Sequence, residues 1–179
     1  MKILIASDLH GSACYTRMLV DNFLASGAEL LVLLGDILYH GPRNDLPREY
    51  APKAVIELLN PLADRIIAVR GNCESEVDQM VLQFPVTSDY GTVFADGMKM
   101  YLSHGHREVP KMPSGSIYLT GHTHVPLKED WENGCVHLNP GSVSIPKENS
   151  PHSFLMYENG VFSWRRVRNN KEYMQYVIG

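Results

Sequence analysis

The sequence has little of what would staple, anchor or repeat a chain. It has three cysteines, Cys14, Cys73 and Cys135, isolated and odd in number. That leaves no disulfide framework and no C-x-x-C metal pair, and it fits a reducing compartment. No run approaches the ~20 apolar residues of a membrane span, and the first residues enter a strand-like segment without a charged or long apolar leader. A cytoplasmic protein with no membrane association is the expectation. Positive charge is not in surplus either: 16 Lys and Arg face 20 Asp and Glu, for a net charge of -4. A broad basic surface for nucleic acid is therefore excluded, whereas a small anionic substrate is not, because a local site can oppose the net charge. Repeats, linkers and low-complexity tracts are missing. With 44% hydrophobic and 20% charged residues, the 179 positions suit one globular domain, residues 1–179. The sequence leaves homo-oligomerisation open.

What is present is a succession of short apolar runs. Residues 2–6, 30–34 and 65–69 read as buried parallel strands, with helices at 12–26, 54–62 and 75–84 supplying the crossovers. Ser12 is placed to cap the first helix and Gly27 to stop it. Ser75 and Asp78 resemble a capping box for the third. The second half changes character. Asp96-Gly97 and Asn159-Gly160 each sit between apolar runs, the signature of tight hairpins. Further strands are expected at 116–120, 136–138 and 173–178. A βαβαβα half followed by a mostly β half predicts two mixed sheets stacked face to face with helices outside, a four-layer αββα sandwich.

Five polar clusters follow directly on five of these strands. They are Asp8/His10, Gly35-Asp36, Gly71-Asn72, His104-Gly105 and Gly121-His122-Thr123-His124. In α/β sheets the ligand crevice lies off the carboxyl ends of the strands. On an extended backbone, side chains at i and i+2 point the same way, so Asp8 and His10 are expected to converge. The candidate ligands are Asp8, His10, Asp36, Asn72, His104, His122 and His124. These are too many for one tetrahedral ion, which takes about four. Shared between two ions, with one carboxylate bridging, they give about four each, and water or substrate oxygens would complete the shells. Imidazole with carboxylate and amide oxygen, and no thiolate, suits two divalent transition-metal ions, manganese first, with nickel, cobalt, iron or zinc as alternatives. Only Asp8 and Asp36 among the ligands are anionic, so two such ions leave a cationic site that favours a phosphate ester.

The order D-x-H, G-D, G-N, H-G-H, G-H-T-H resembles the calcineurin-like metallophosphoesterase superfamily. The short length, with the stretches 35–44 and 139–147, resembles its small bacterial YfcE-type phosphodiesterase group. The resemblance implies the αββα fold and in-line attack of metal-activated water on phosphorus. It implies Asp8, His10 and His124 on one ion, and Asn72, His104 and His122 on the other. Asp36 would bridge, and Asp36 and Asn72 would be the residues nearest the chemistry. One departure matters. Many members read G-N-H followed by an acid, the histidine helping to protonate the leaving group. Here the stretch is Gly71-Asn72-Cys73-Glu74.

Other residues carry weaker signals. Arg43, on a proline-bounded loop, is a candidate phosphate clamp, since guanidinium matches phosphate geometry. Cys73 is a candidate substrate contact, with an inert packed thiol as the plainer reading. His40 and His106 are candidates for holding a substrate oxygen or a water, or for packing behind the site. Residues 139–142 are expected to shape the wall behind the histidines, and His137 and His152 to be structural. The function expected is a phosphodiesterase acting on a small phosphodiester or phosphate ester. The alternative is a non-catalytic scaffold of the same fold, whose mark would be lost ligands.

Overall fold

The structure, a computed structural model, describes residues 1–179. Strand β1 (Lys2–Ala6) leads through helix α1 (Ala13–Ser26) to β2 (Leu30–Leu33), and through α2 (Pro52–Leu59) and a 3-10 turn (Asn60–Arg65) to β3 (Ile66–Ala68). The three strands are parallel, with Ile5 paired to Val32 and Val32 to Ile67. Ser12 caps α1 by accepting from the Tyr15 amide at 3.4 Å, and Gly27 ends it with φ of 69°. Helix α2 starts two residues earlier than the pattern suggests, on Pro52, whose missing amide costs nothing in a first turn.

The third helix is a correction. Instead of spanning 75–84 it is a single turn, α3 (Asp78–Val81). The cap does form, with the Ser75 amide and hydroxyl donating to the Asp78 carboxylate at 3.1 and 2.9 Å. Beyond it Leu82, Phe84 and Val86 are buried while Gln83 and Pro85 are exposed. That period of two is the mark of extended chain, and Pro85 disfavours a helical Phe84. Tertiary burial of the three apolar side chains overrides the cap.

The second half gives β4 (Tyr90–Ala95), β5 (Met98–Ser103), β6 (Ile117–Leu119), β7 (Pro126–Asp130) and β8 (Val136–Pro140). It closes with β9 (Ser153–Glu158), β10 (Val161–Arg166) and β11 (Glu172–Val177). Asp96 and Gly97 turn the first hairpin with φ of 51° and 78°, as a two-residue hairpin of this sequence requires. β7 was not anticipated. It is an edge strand opened by a proline, with no apolar alternation to reveal it.

One sheet has the order β11-β10-β9-β1-β2-β3 and the other β4-β5-β6-β8-β7; both are mixed. The pleat of β1 divides its side chains between two cores. Leu4 and Ala6 join Leu19, Phe23, Val55 and Leu59 under the helices. Ile3 and Ile5 join Met100, Leu102, Ile117, Leu119 and Trp164 between the sheets. The sandwich expected is present, and its helical cover is unequal. All helices fall within residues 13–81 and lie on the six-stranded sheet. The outer face of the other sheet is closed by the rings of Tyr118, Trp131 and His137, with centroids 5.2 to 5.7 Å apart.

Candidate metal centre

Because β1, β2 and β3 run parallel, the loops after them open on one edge of the sandwich. Asp8 and His10 follow β1, Asp36 follows β2, and Asn72 follows β3. The parallel β5 and β6 bring His104 and then His122 and His124 to the same edge. Convergence does not use extended backbone at Asp8 and His10, as the alternation argument supposed. Asp8, His10, Asp36, His122 and His124 all have left-handed φ, between 46° and 68°. A non-glycine residue held there costs on the order of 1–3 kcal/mol and persists only where its surroundings fix it. Those surroundings are visible. The amides of Asp8, His10 and Gly11 donate to the carbonyls of Gly35, Asp36 and Ile37 at 3.1, 2.9 and 2.8 Å. From the other side the hydroxyls of Ser142 and Ser144 donate to the Asp8 carbonyl at 2.9 and 3.0 Å.

Three imidazoles are oriented by backbone carbonyls. The Nδ1–H of His10 donates to Tyr39 O at 2.8 Å, that of His104 to Leu34 O at 2.7 Å, and that of His124 to Ile145 O at 2.6 Å. With Nδ1 carrying the proton, each neutral ring presents its Nε2 lone pair to the centre. His10 and His124 Nε2 are 3.3 Å apart. Both face Asp8 Oδ1, at 3.5 and 3.3 Å. His104 Nε2 lies 3.4 Å from Asp36 Oδ2 and 3.9 Å from Asp8 Oδ1. Asp8 Oδ1 is buried without a hydrogen-bond partner. Lone pairs and carboxylate oxygens facing one another inside a protein repel unless a cation sits among them. Three groups, Asp8/His10/His124, Asp8/Asp36/His104 and His10/Asp36/Cys73, have their ligand atoms within 4.8 Å of one another. The donor set fits divalent transition metals.

The titration behaviour agrees. Burial acts against ionising Asp8, but the imidazoles of His10 and His124 that face it and the charge of His104 outweigh it and hold its carboxyl well below the usual range. Asp36 is also lowered, burial being overcome by His104. Burial works against protonating His10 and His104, yet Asp8 and Asp36 raise both, His104 to about 9. Protons occupy the place where a cation is wanted.

The remaining expected ligands stand at the rim. Asn72 Oδ1 is 3.1 Å from His104 Nε2. His122 is half-buried, its ring 5.1 Å from that of His104, and its amide donates to Asp8 Oδ2 at 3.1 Å. A cleft of about 800 Å³ opens over the cluster, lined among others by Asp36, Asn72, His122 and His124. Arg43 and Cys73 both line it. The Cys73 amide donates to Asp36 Oδ1 at 2.9 Å, and burial followed by the Asp36 charge pushes its thiol far up. His40 lies between the Tyr39 and Tyr50 rings, at 4.7 and 5.1 Å, and does not line the cleft. The His106 ring is 5.4 Å from that of His104. His152 stacks on Tyr15 at 3.9 Å and donates to Val143 O, and His137 bonds the Thr120 hydroxyl at 2.7 Å.

Sequence reasoning left Glu74 without a role. Its buried carboxylate accepts from the amides of Asp36 at 2.9 Å, Ile37 at 2.7 Å and Gly71, and so ties the loops after β2 and β3 together. Burial and the Asp36 charge raise its pKa to about 7. Asn139 has a similar task. Its amide donates to Gly121 O at 2.7 Å and to the Thr123 hydroxyl at 3.2 Å, holding the turn that carries His122 and His124. Asn139 belongs to the 139–142 stretch expected to shape the wall behind the histidines, whereas for Glu74 the only sequence signal was an acidic residue beside the Gly71-Asn72 motif.

Comparison with known proteins follows the same lines. A family model for the calcineurin-like phosphoesterase superfamily domain matches residues 1–159. The phosphodiesterase YfcE of Escherichia coli strain K12 is 47% identical over 167 residues, covering 91% of this chain and 90% of that protein. The solved structure of the phosphoesterase Yfce from E. coli superposes with a TM-score of 0.95 at 44% identity, over 100% of both chains. Vps29 of Entamoeba histolytica, solved with zinc, shares the fold at a TM-score of 0.66 and 17% identity, again over 100% of both chains.

Proposed function

Because the chain belongs to the calcineurin-like phosphoesterase superfamily, we propose that it is a phosphodiesterase with a two-ion centre held by Asp8, His10, Asp36, Asn72, His104, His122 and His124. The observation that carries this is the set of three Nε2 lone pairs, fixed by carbonyls, around an unpartnered Asp8 oxygen. Asp8, His10 and His124 would hold one ion and Asn72, His104 and His122 the other, with Asp36 shared. Bound ions would lower the pKa of a water and polarise the phosphoryl oxygens, the chemistry that in-line attack on phosphorus needs. Manganese is the first choice, with nickel, cobalt, iron and zinc behind it.

The chain's own residues do the rest. Asp36 is held by the Cys73 amide and, through its backbone, by Glu74, so its carboxylate cannot swing away. Asn72 brings a neutral oxygen to the cleft side, where it holds charge without repelling an anionic ester. Arg43 stands on the cleft wall as a phosphate contact. Cys73, its thiol pushed up, is a poor proton donor, so the enzyme works best on esters whose alcohol departs without one. Free cysteines support a reducing compartment, and the cytoplasm is the location we propose. The whole chain acts as one domain.

The test is metal analysis of the purified protein, then a panel of phosphomonoesters and phosphodiesters with manganese, nickel, cobalt and zinc. The expected result is bound metal and diester turnover at least comparable with monoester turnover. Monoester turnover many-fold above diester turnover at neutral pH, or no turnover with any ion, would overturn the reading. A non-catalytic scaffold would be expected to have lost candidate ligands, and this sequence retains all seven.

A further inference from the structure

The cleft has an electrostatic feature that the metal ligands do not explain. Its lining includes two cations, Arg43 and Lys147, and a single carboxylate, Asp36, committed to the centre. Neither Arg43 nor Lys147 meets a carboxylate, a state they share with most of the chain's Lys and Arg side chains; what sets them apart is that both line one cleft. Glu148, next to Lys147 in sequence, does not line the cleft. On a chain of net charge -4, two unpaired cations in one cleft are a local reversal of sign.

Their positions follow from the topology. The end of β1 is flanked by residues 35–37 on one side and 143–144 on the other, through the amide pairings of Asp8 with Gly35 O and of Val143 with Ser7 O. Arg43 lies on the loop that continues from the first flank and Lys147 on the loop that continues from the second. Each loop is clamped to one of the adjacent histidines. Tyr39 O holds His10, Ile145 O holds His124, and the Lys147 amide itself donates to His124 O at 3.2 Å. The backbone of the two loops is therefore tied to the Asp8/His10/His124 end of the cluster, and the exposed Arg43 and Lys147 side chains extend from it along the cleft. Apart from the imidazoles, only the lining side chains of Tyr39, Pro42 and Cys73 are apolar or aromatic, so most of the cleft wall is polar. A space of about 800 Å³ exceeds what one phosphate ester needs and falls within the range for nucleotide-sized ligands.

We propose that Arg43 and Lys147 form a second anion subsite, and that the preferred substrates are phosphodiesters bearing a further phosphate group. The inference rests on the phosphodiesterase reading above for the position of the scissile group. Guanidinium binds phosphate through a bidentate fork and ammonium as a mobile point charge, and together they balance a dianion.

Two probes isolate the subsite. They are the 4-nitrophenyl ester of thymidine 5′-phosphate and the same ester carrying a 3′-phosphate, which share a leaving group and differ by one anion. In the metal-loaded wild-type protein kcat/KM should favour the second by about tenfold, the scale of charge-assisted hydrogen bonds to two partners. In Lys147→Gln the preference should shrink towards unity through KM, and Lys147→Arg should retain it. Calorimetric binding of thymidine 3′,5′-bisphosphate against thymidine 5′-phosphate should give the same ordering without turnover. Hydrolysis of both esters with no preference, or a preference untouched by Lys147→Gln, overturns the subsite and leaves the phosphodiesterase standing. Lys147-dependent binding of the bisphosphate without hydrolysis of either ester supports the subsite and sinks the phosphodiesterase. Neither hydrolysis nor selective binding sinks both.

Discussion

Adding one methyl group at Gly121 tests whether the centre is held as tightly as its geometry implies. Gly121 precedes His122, and its φ lies outside the left-handed region, so alanine meets no backbone penalty there. The added Cβ would overlap Ser7 Oγ and lie 2.7 Å from Ser7 Cβ and 2.8 Å from Asp8 Oδ2. The hydroxyl can rotate, since its bond to Leu34 O is a long 3.5 Å. The Ser7 Cβ cannot, because Ser7 is fully buried at the end of β1. Opening that contact from 2.7 Å to an ordinary 3.4 Å separates the two loops by about 0.7 Å. Overpacking of this kind costs ~1–3 kcal/mol, which in a chain of this size lowers Tm by about 2–12 °C. The separated pieces carry His122 and His124 on one side and Asp8 on the other, and a ~1 Å misplacement near the chemistry costs about 10²-fold. Thermal unfolding, metal content and diester turnover of Gly121→Ala are the measurements. Ser7→Ala alone should behave like the parent, and the double variant should recover only part of the loss, because the Cβ contact survives. A Gly121→Ala protein within about 2 °C and twofold of the parent would refute the reasoning.

Asp36→Asn keeps the shape and the acceptor for the Cys73 amide but removes the bridging charge. It should lose more turnover than the ~10–100-fold typical of outer-shell partners, with the fold intact. Near-normal activity with both ions retained would remove the bridge. Cys73→His should speed esters with poor leaving groups most, by up to about 10²–10⁴ if the ring is well placed, and Cys73→Ser should change little. A dead Cys73→Ser variant with normal metal content would give the thiol a direct role. His10 and His104 are raised in the metal-free protein, His104 to about 9. Their protonated forms stabilise it below the ordinary histidine pKa, and that stability is lost as pH climbs through about 9. The Tm of metal-free protein should therefore fall from about pH 6.5 to 9, while added metal flattens the fall and binds more tightly as pH rises. A flat metal-free profile would count against the arrangement.

Most of the residues of the candidate cluster could be picked out in the sequence, because polar residues that follow strands are brought together by sheet topology, and the apolar runs showed where the strands end. The backbone that aims them could not. Left-handed φ at Asp8 and His10 is held by the carbonyls of residues 35–37 and the hydroxyls of Ser142 and Ser144, that at Asp36 by the Glu74 carboxylate, that at His122 by Asp8 Oδ2 and that at His124 by the Lys147 amide, and a single sequence does not reveal pairings between distant loops. Glu74 was hidden for the same reason, since its partners are backbone amides that leave no mark on composition. The third helix misled because a capping signal is local, whereas the burial of Leu82, Phe84 and Val86 is decided by the core they join.

The carbonyls that orient the histidines belong to the loops that line the cleft, and this couples metal geometry to substrate geometry. Tyr39 O turns His10 and Ile145 O turns His124, and Arg43 and Lys147 lie four and two residues further along those same loops. A ligand that draws the cations inward pulls on the carbonyls, and a change in coordination at either Nε2 is transmitted to the cleft wall through a single hydrogen bond of 2.6 to 2.8 Å. The loops contribute little apolar burial of their own: Arg43 and Lys147 are exposed, and Glu148 and Asn149 turn beside Lys147 with left-handed φ of 53° and 57°. Besides their own turns, in which Asn44 bonds His40 O and Ser150 bonds Lys147 O, what holds them is their attachment to the histidines. Metal loading should therefore order the cleft before any ester arrives, because the same bonds that set the imidazoles leave these loops fewer conformations.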